Sequence, residues 1–293
     1  LTGFCSGVKY KERLSEYDGA QLKYINLNAN GIQSIPYDII SIYKSLKFAD
    51  TILVLGVSGC VFLPFVRLFG KSKIIVNIDG LEWKRNKWNT FAKWFLKFSE
   101  GIAVKFADMV ITDNKAIQEY VNKEYKVSTE LIAYGGDHAN KESLSDNDKE
   151  QYAFLDDKYA FTVCRIEPEN NLNIILEAFS GYDLPIVIVG NWSNSRYGVD
   201  LRRKYERYQH MHMLDPIYNQ KDIDTLRSNC LVYLHGHSAG GTNPSLVEAM
   251  FLELPIIAFD VSYNRETTHN QSIYFGNKQQ LIDILKDIDK IDL

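Results

Sequence analysis

Short runs rich in β-branched and other apolar residues alternate along this chain with longer stretches whose apolar residues recur every three or four positions. Residues 51–57 (TILVLGV) and 73–78 (KIIVNI) are almost wholly apolar, as strands buried on both faces of a sheet must be. In the first half the pattern predicts strands at 3–6, 21–27, 51–57, 73–79, 109–112 and 129–134, and helices at 37–48, 61–69, 88–107 and 115–124. The rhythm breaks at residues 140–151, where KESLSDNDKE has no apolar periodicity and reads as a linker or exposed turn. It restarts with strands predicted at 159–164, 185–190, 230–236, 255–260 and 272–275, and helices at 171–180, 196–209, 220–228, 244–252 and 278–286. Alternating βα units imply parallel sheets covered by helices. The expectation is an α/β protein of two Rossmann-like domains facing a cleft, residues 1–138 and 139–293, which share an architecture but no short repeat.

At 293 residues the chain is long enough for two cores, and its 45% apolar and 24% charged composition is that of an ordinary globular protein. A net charge of −4 weighs against bulk attraction to nucleic acid. Of the four cysteines, none forms a CxxC pair and three lie in apolar runs, which reads as buried free thiols in a reduced, cytoplasmic protein. No apolar run approaches the roughly 20 residues that span a bilayer. The N-terminus lacks the basic segment and apolar stretch of a secretory signal. The chain begins at Leu1, inside a predicted strand, so its true start is expected to be missing.

Ligands of open parallel sheets bind beyond the carboxyl ends of the strands, so the loops after the strands hold the candidate chemistry. The most informative is His235-Gly-His-Ser-Ala-Gly-Gly-Thr-Asn-Pro-Ser-Leu-Val-Glu-Ala-Met250. A helix starts near Pro244, with Asn243 or Thr242 placed to cap it. Free N–H groups and the helix dipole at that end form a cradle for a diphosphate. Gly240 and Gly241 let the backbone approach a ligand, and Glu248 lies one turn in, where a carboxylate accepts hydrogen bonds from ribose hydroxyls. A plain strand–loop–helix junction with a surface glutamate fits the same letters. The loop is neither a Walker A sequence nor GxGxxG.

The loop after strand 159–164 reads Cys164-Arg-Ile-Glu-Pro-Glu-Asn-Asn171. Arg165 either pairs with phosphate oxygens or with a neighbouring carboxylate. Strand 73–79 ends in Asp79, which either orients and deprotonates an acceptor hydroxyl or caps its Asp-Gly turn. Glu82 follows nearby. Between residues 83 and 97, Trp83, Trp88 and Trp94 alternate with Lys84, Arg85, Lys87, Lys93 and Lys97. Such a run suits an anionic membrane surface or stacks on acceptor sugars, and it equally fits core tryptophans beside a solvated basic face. Gly135 and Gly136 of Tyr134-Gly-Gly-Asp137 permit a backbone hinge or an ordinary turn. Neither a DxD sequence nor a histidine-rich cluster suggests a metal.

Residues 242–260 (TNPSLVEAMFLELPIIAFD) resemble the E-x7-E region of the retaining family-4 glycosyltransferases of GT-B fold. CRIEPENN and GGTNPSLVEAM together resemble a narrower set, the bacterial rhamnosyltransferase-like members, as do residues 53–100, TDNKAIQEY and IAYGGD. The resemblance covers nearly the whole chain. It implies that Glu248 holds the nucleotide ribose, that Arg165 clamps the diphosphate, and that the turn holding Ile217 (Asp215-Pro-Ile-Tyr218) lies by the base through backbone contacts. The sequence departs from the broader family in three places: the first motif Glu falls on Gly240, the clamp Lys on Asn170, and the Gly before the Arg on Cys164. Backbone from Gly241 to Asn243 would then replace the missing sugar contact.

The implied reaction moves a hexose or deoxyhexose, rhamnose favoured, from a nucleotide-diphosphate sugar to a saccharide or lipid-linked acceptor in surface-polysaccharide synthesis. It retains configuration by a front-face mechanism in which the leaving diphosphate helps to deprotonate the acceptor, and the protein stabilises the charge that builds there. No metal or cofactor beyond the sugar nucleotide is implied. Catalytic roles fall to Arg165 and Asp79, and the acceptor or membrane side to Glu82, Trp83, Lys84, Arg85 and Trp88, at the inner face of the membrane. By the same comparison the first strand, its Gly-rich loop and a C-terminal helix are expected to be missing. The rival readings are a GT-B epimerase or phosphorylase, a periplasmic sugar-binding protein, and a non-catalytic nucleotide-sugar-binding scaffold, since fold alone does not establish activity.

Overall fold

A computed structural model of the chain describes residues 1–10, 12–85 and 88–288. Lys87, read with the basic aromatic run, lies outside the described residues. The chain divides into two compact units, Leu1–Ile132 and Ala133–Leu293, so the Tyr134–Asp137 turn goes with the second.

In the first unit, β1 (Thr2–Ser6) pairs in parallel with β3 (Ala20–Ile25), and β2 (Glu16–Tyr17) pairs antiparallel with β3. The β2–β3 hairpin turns on Asp18 and Gly19, both with positive φ, as a tight two-residue loop demands. α1 (Ser34–Ser45) leads to a four-stranded parallel sheet of β4 (Thr51–Leu55), β5 (Lys73–Ile78), β6 (Met109–Thr112) and β7 (Glu130–Leu131). α2 (Leu63–Phe69), α3 (Thr90–Phe106) and α4 (Lys115–Tyr125) connect these strands. Ile74, Val76 and Ile78 form the fully buried face of β5, with Ile75 and Asn77 half-buried on the other; β4, expected to be buried on both faces, buries Ile52 and Val54 and leaves Leu53 and Leu55 exposed.

The second unit opens with α5 (Asp146–Gln151) and forms one parallel sheet of β8 (Ala160–Val163), β9 (Ile186–Val189), β10 (Met211–Leu214), β11 (Val232–His235), β12 (Ile256–Phe259) and β13 (Ile273–Phe275). Its spatial order is β10-β9-β8-β11-β12-β13. The other helices are α6 (Leu172–Phe179), α7 (Arg196–Tyr205), α8 (Gln220–Ser228), α9 (Pro244–Phe251), α10 (Ser262–Thr267) and α11 (Lys278–Lys286). Each face of this sheet has its own core. Ile186 and Ile188 pack with α6 and α11 residues such as Phe179 and Leu281, and Val187 and Val189 with Tyr159, Leu226 and Leu246 on the α8–α9 side.

Several elements differ from the sequence pattern. β10 (MHML) was not expected; it is an edge strand that buries only Met211 and Met213, and methionine carries little strand signal. α5 falls in the stretch read as a linker, where Ser145 and Asp148 form a reciprocal capping box that local charge patterning hides. The last strand of the first unit shrinks from residues 129–134 to Glu130–Leu131. The long helix begins at Thr90, capped by the Asn89 side chain on the Ala92 N–H.

One buried carboxylate ties the loop after β5 to two helices. Glu100 of α3, 1% exposed, accepts hydrogen bonds from Trp83 Nε1 (3.2 Å), Tyr120 Oη (2.8 Å) and Tyr125 Oη (2.6 Å). Burial, and then the Glu100 charge, pushes the Tyr125 hydroxyl well above its ordinary range, so it stays protonated and donating. Lys97 adds a cation at 3.4 Å. Glu100→Ala would take the shared acceptor from three half-buried donors. It should lower the stability of the first unit by about 3 kcal/mol, read as an earlier urea midpoint in tryptophan fluorescence. Three of the four tryptophans lie in that unit.

Candidate functional site

The strand order of the second unit reverses between β8 and β11. From β8 the chain builds outward to β9 and β10, and from β11 it builds the other way to β12 and β13. At such a switch point the loops leaving the two central strands part, and a crevice opens beyond their carboxyl ends. A cavity of about 410 Å³ lies there. Its wall includes Cys164, Arg165 and Asn170 from the β8 loop, and His237, Asn243 and Glu248 from the β11 loop and α9.

The two loops touch backbone to backbone. A Cβ on Gly236 would fall 2.1 Å from the carbonyl oxygen of Asn170, so only glycine fits. Hydrogen bonds then lace them together. Asn170, 4% exposed, donates through Nδ2 to the Arg165 carbonyl (2.6 Å), and its Oδ1 meets His237 Nδ1 at 3.0 Å. With the amide N–H turned to Arg165, the proton between Asn170 and His237 belongs to the imidazole Nδ1. Asn171, held in the left-handed region, donates to the Gly236 carbonyl (2.8 Å), and Ser238 donates twice to that of Glu169. Asn264 of α10 closes the set on the carbonyls of His237 and Phe259, both at 2.8 Å.

α9 starts as its letters predict. Pro244 sits in the first turn, and Asn243 Oδ1 accepts the Ser245 N–H at 3.1 Å. Gly240, with φ +115°, occupies a conformation closed to other residues. Gly241 and Thr242 are buried in the same turn. Glu248 lines the cavity one turn further on, with its two oxygens held apart: Oε1 by His138 Nε2 at 2.9 Å, Oε2 by Arg227 Nη2. Arg165 is different. Its guanidinium is 64% exposed and lies 3.8 Å from Glu167, which leaves it accessible to an anion. The Cys164 thiol is pushed up to about 12 by burial and is a neutral wall rather than a nucleophile.

Among the other expected residues, Ile217 packs into the core cluster of Tyr159 and Leu246 and is not part of the cavity wall. Its neighbours Asp215, paired with Arg202 at 2.8 Å, and Tyr218, 91% exposed, are at the surface. Asp79, Glu82, Trp83, Lys84, Arg85 and Trp88 belong to the first unit. Asp79 is exposed just beyond β5, Glu82 accepts from Arg85 Nη1 at 3.1 Å, and Lys84 lies over the Trp83 ring at 5.4 Å. Arg85 is buried and Trp88 half-buried. Arg227, Asp224, His138 and His237 were missed. Arg227 alone left a legible signal, a charge that continues the apolar stripe of Ile223, Leu226 and Cys230.

Residues 145–291, half of the chain, match the family described as glycosyl transferases group 1. The chain belongs to that family. Residues 4–137 match a second family, described as a domain of unknown function. No curated protein matches the sequence. Similar solved structures include sucrose-phosphate synthase from Thermosynechococcus elongatus, at 13% identity and a TM-score of 0.73, over 94% of this chain and 76% of that one. Anabaena HepE in complex with UDP-glucose follows at 14% and 0.71, over 93% and 77%. S. aureus MnaA, in a co-structure with UDP, aligns at 14% and 0.63, over 93% and 74%. These likenesses show the fold, which is GT-B.

In this glycosyltransferase the contact between Gly236 and Asn170 sets the spacing of both loops. Gly236→Ala must push them apart and should cost about 2 kcal/mol, seen as a Tm lower by several degrees. An unchanged Tm would show that the loops are not held by that contact.

Proposed function

We propose that this glycosyltransferase moves a hexose or deoxyhexose, with rhamnose favoured, from a nucleoside-diphosphate sugar to a saccharide or lipid-linked saccharide in surface-polysaccharide synthesis. The observation that carries the reading is the convergence of Arg165, the N-terminus of α9 and Glu248 on one cavity at the switch point of the second unit. The helix N-terminus and the exposed guanidinium suit a diphosphate, and the carboxylate suits ribose hydroxyls. HepE has been solved with UDP and with UDP-glucose, and MnaA with UDP, which supports a nucleotide in a GT-B protein of this kind.

The reaction proceeds with retention and without a metal. Negative charge that develops on the leaving diphosphate is met by Arg165 and the α9 N–H groups, and the diphosphate takes the acceptor proton. Asp79 orients the acceptor hydroxyl. The backbone of Gly240–Asn243 serves the sugar, and the backbone of the turn at Ile217, whose side chain packs into the core, serves the base. Asn170 acts through the loop it braces, since its amide is already engaged on Arg165 and His237.

The protein works in the cytoplasm at the inner membrane face. No helix among the described residues is long and apolar enough to cross a membrane. Support for surface binding comes from α3, where Phe91, Trp94 and Phe98 form an exposed stack with Trp94–Phe98 centroids 5.6 Å apart. They belong to a unit with 18 Lys and Arg against 13 Asp and Glu, whereas the second unit has 15 against 24. An aromatic face on the basic half of an acidic protein suits anionic lipid. On this reading Trp83 anchors the acceptor loop through Glu100, and Trp94 is the ring that meets lipid.

Thermal shift with UDP, TDP, GDP and ADP and their hexose conjugates tests the donor site. One nucleotide family should stabilise the protein, and less so in Arg165→Ala and Glu248→Gln. Turnover of that donor with a lipid-linked acceptor then separates a transferase from a scaffold. Stabilisation by none would sink the donor assignment. Trp94→Ser should reduce sedimentation with phosphatidylglycerol vesicles and leave donor binding unchanged; equal sedimentation would remove the membrane from the proposal.

A further inference from the structure

The cation that holds Glu248 belongs to none of the motifs that marked the site. Arg227 leaves α8 with 2% exposure, in the apolar layer of Tyr159, Ile223, Leu226 and Tyr233. Its guanidinium lies between two carboxylates, donating through Nη1 to Asp224 Oδ1 at 2.9 Å and through Nη2 to Glu248 Oε2. Asp224 is fully buried and is itself fixed, accepting the Asn140 N–H at 3.0 Å and the Gln220 amide at 3.1 and 3.0 Å.

This arrangement is a poor way to stabilise a core. Desolvating a guanidinium and two carboxylates costs several kcal/mol, and apolar side chains of similar volume at 224 and 227 would pack α8 at least as well. It is a good way to hold one carboxylate still. A carboxylate has about four acceptor sites. In Glu248 one oxygen is engaged by Arg227 and the other by His138, so each keeps a site on the wall of the cavity.

We propose that Arg227 is a positioning residue for nucleotide recognition. Braced by Asp224, it fixes the Glu248 carboxylate so that its two remaining acceptor sites meet the ribose hydroxyls of the donor nucleotide. His138 completes the hold from the segment that opens the second unit. The inference rests on the nucleotide reading of this cavity and adds the device by which that cavity senses the ribose. Arg227 reaches the cavity wall as well, and on this proposal it acts through Glu248.

The test is discrimination rather than affinity alone. Calorimetry would compare UDP and TDP with their 2′,3′-dideoxy analogues, on wild type, Arg227→Lys and Arg227→Met. Wild type should bind the parent nucleotide about tenfold or more tightly than its dideoxy analogue, the worth of a hydrogen bond to a charged group. Arg227→Met should bring that ratio near one while dideoxy affinity stays close to wild type, and Arg227→Lys should fall between. A folded Arg227→Met protein with the wild-type ratio overturns the proposal, because a purely structural residue would change Tm and leave the ratio alone. If the Met variant does not fold, the Lys variant decides in the same way. A wild type that binds UDP or TDP with a ratio of one refutes the role of Arg227 and leaves the nucleotide site standing. A wild type that binds neither nucleotide removes both.

Discussion

The carbonyl oxygen of Asn170 rests against the Cα of Gly236, and much of the second unit's chemistry depends on that approach. With no side chain at 236, the loop after β8 and the loop after β11 share one layer of hydrogen bonds instead of standing apart. Arg165 therefore leaves a braced backbone, although its own guanidinium is free to reach solvent. The same bracing directs the chain through the Gly240 turn into α9, whose first turn and Glu248 come to face the cavity. A parallel sheet opens a crevice at its switch point by topology alone. Side-chain amides turn that crevice into a site of fixed shape.

Two buried carboxylate systems do comparable work in the two units. In the first, Glu100 collects an indole and two phenol donors and so fixes the turn that follows β5. In the second, Asp224 and Arg227 hold Glu248. Each removes charge from water at considerable cost, and each sits directly behind residues proposed to meet a substrate. Glu100, 1% exposed, takes three neutral donors and Lys97 at 3.4 Å. Glu248 also lines the cavity, and a guanidinium on one oxygen leaves the carboxylate acceptor sites on that side.

Local signals in the sequence make much of this legible. The apolar runs of β4 and β5 predicted two strands, although Leu53 and Leu55 leave one face of β4 exposed, and the Asn-Pro pair at 243–244 predicted the start of α9. Asn89, Ser195 and Asn219 cap helices where polar residues precede periodic runs. Arg165, Asn243 and Glu248, read as candidates because each follows a strand, line one cavity. Where local preference was weak, the reading failed: β10 holds two methionines and a histidine, and α5 holds almost nothing apolar.

The sequence by itself determined the two βα halves, the two loops that line the cavity and the membership of a glycosyltransferase family. Those rest on periodicity, capping and turn chemistry, all of which act over a few residues. Only the tertiary structure decided who holds whom. Arg227 meets Glu248 across 21 positions, His138 meets it across 110, and Asn170 meets His237 across 67. Pairings of that range are set by the order of strands in a sheet, and no local preference encodes that order. For the same reason Asn170, whose letter suggested a weak phosphate ligand, is a brace between two loops, and Trp83, whose letter suggested a membrane surface, hydrogen-bonds a buried glutamate.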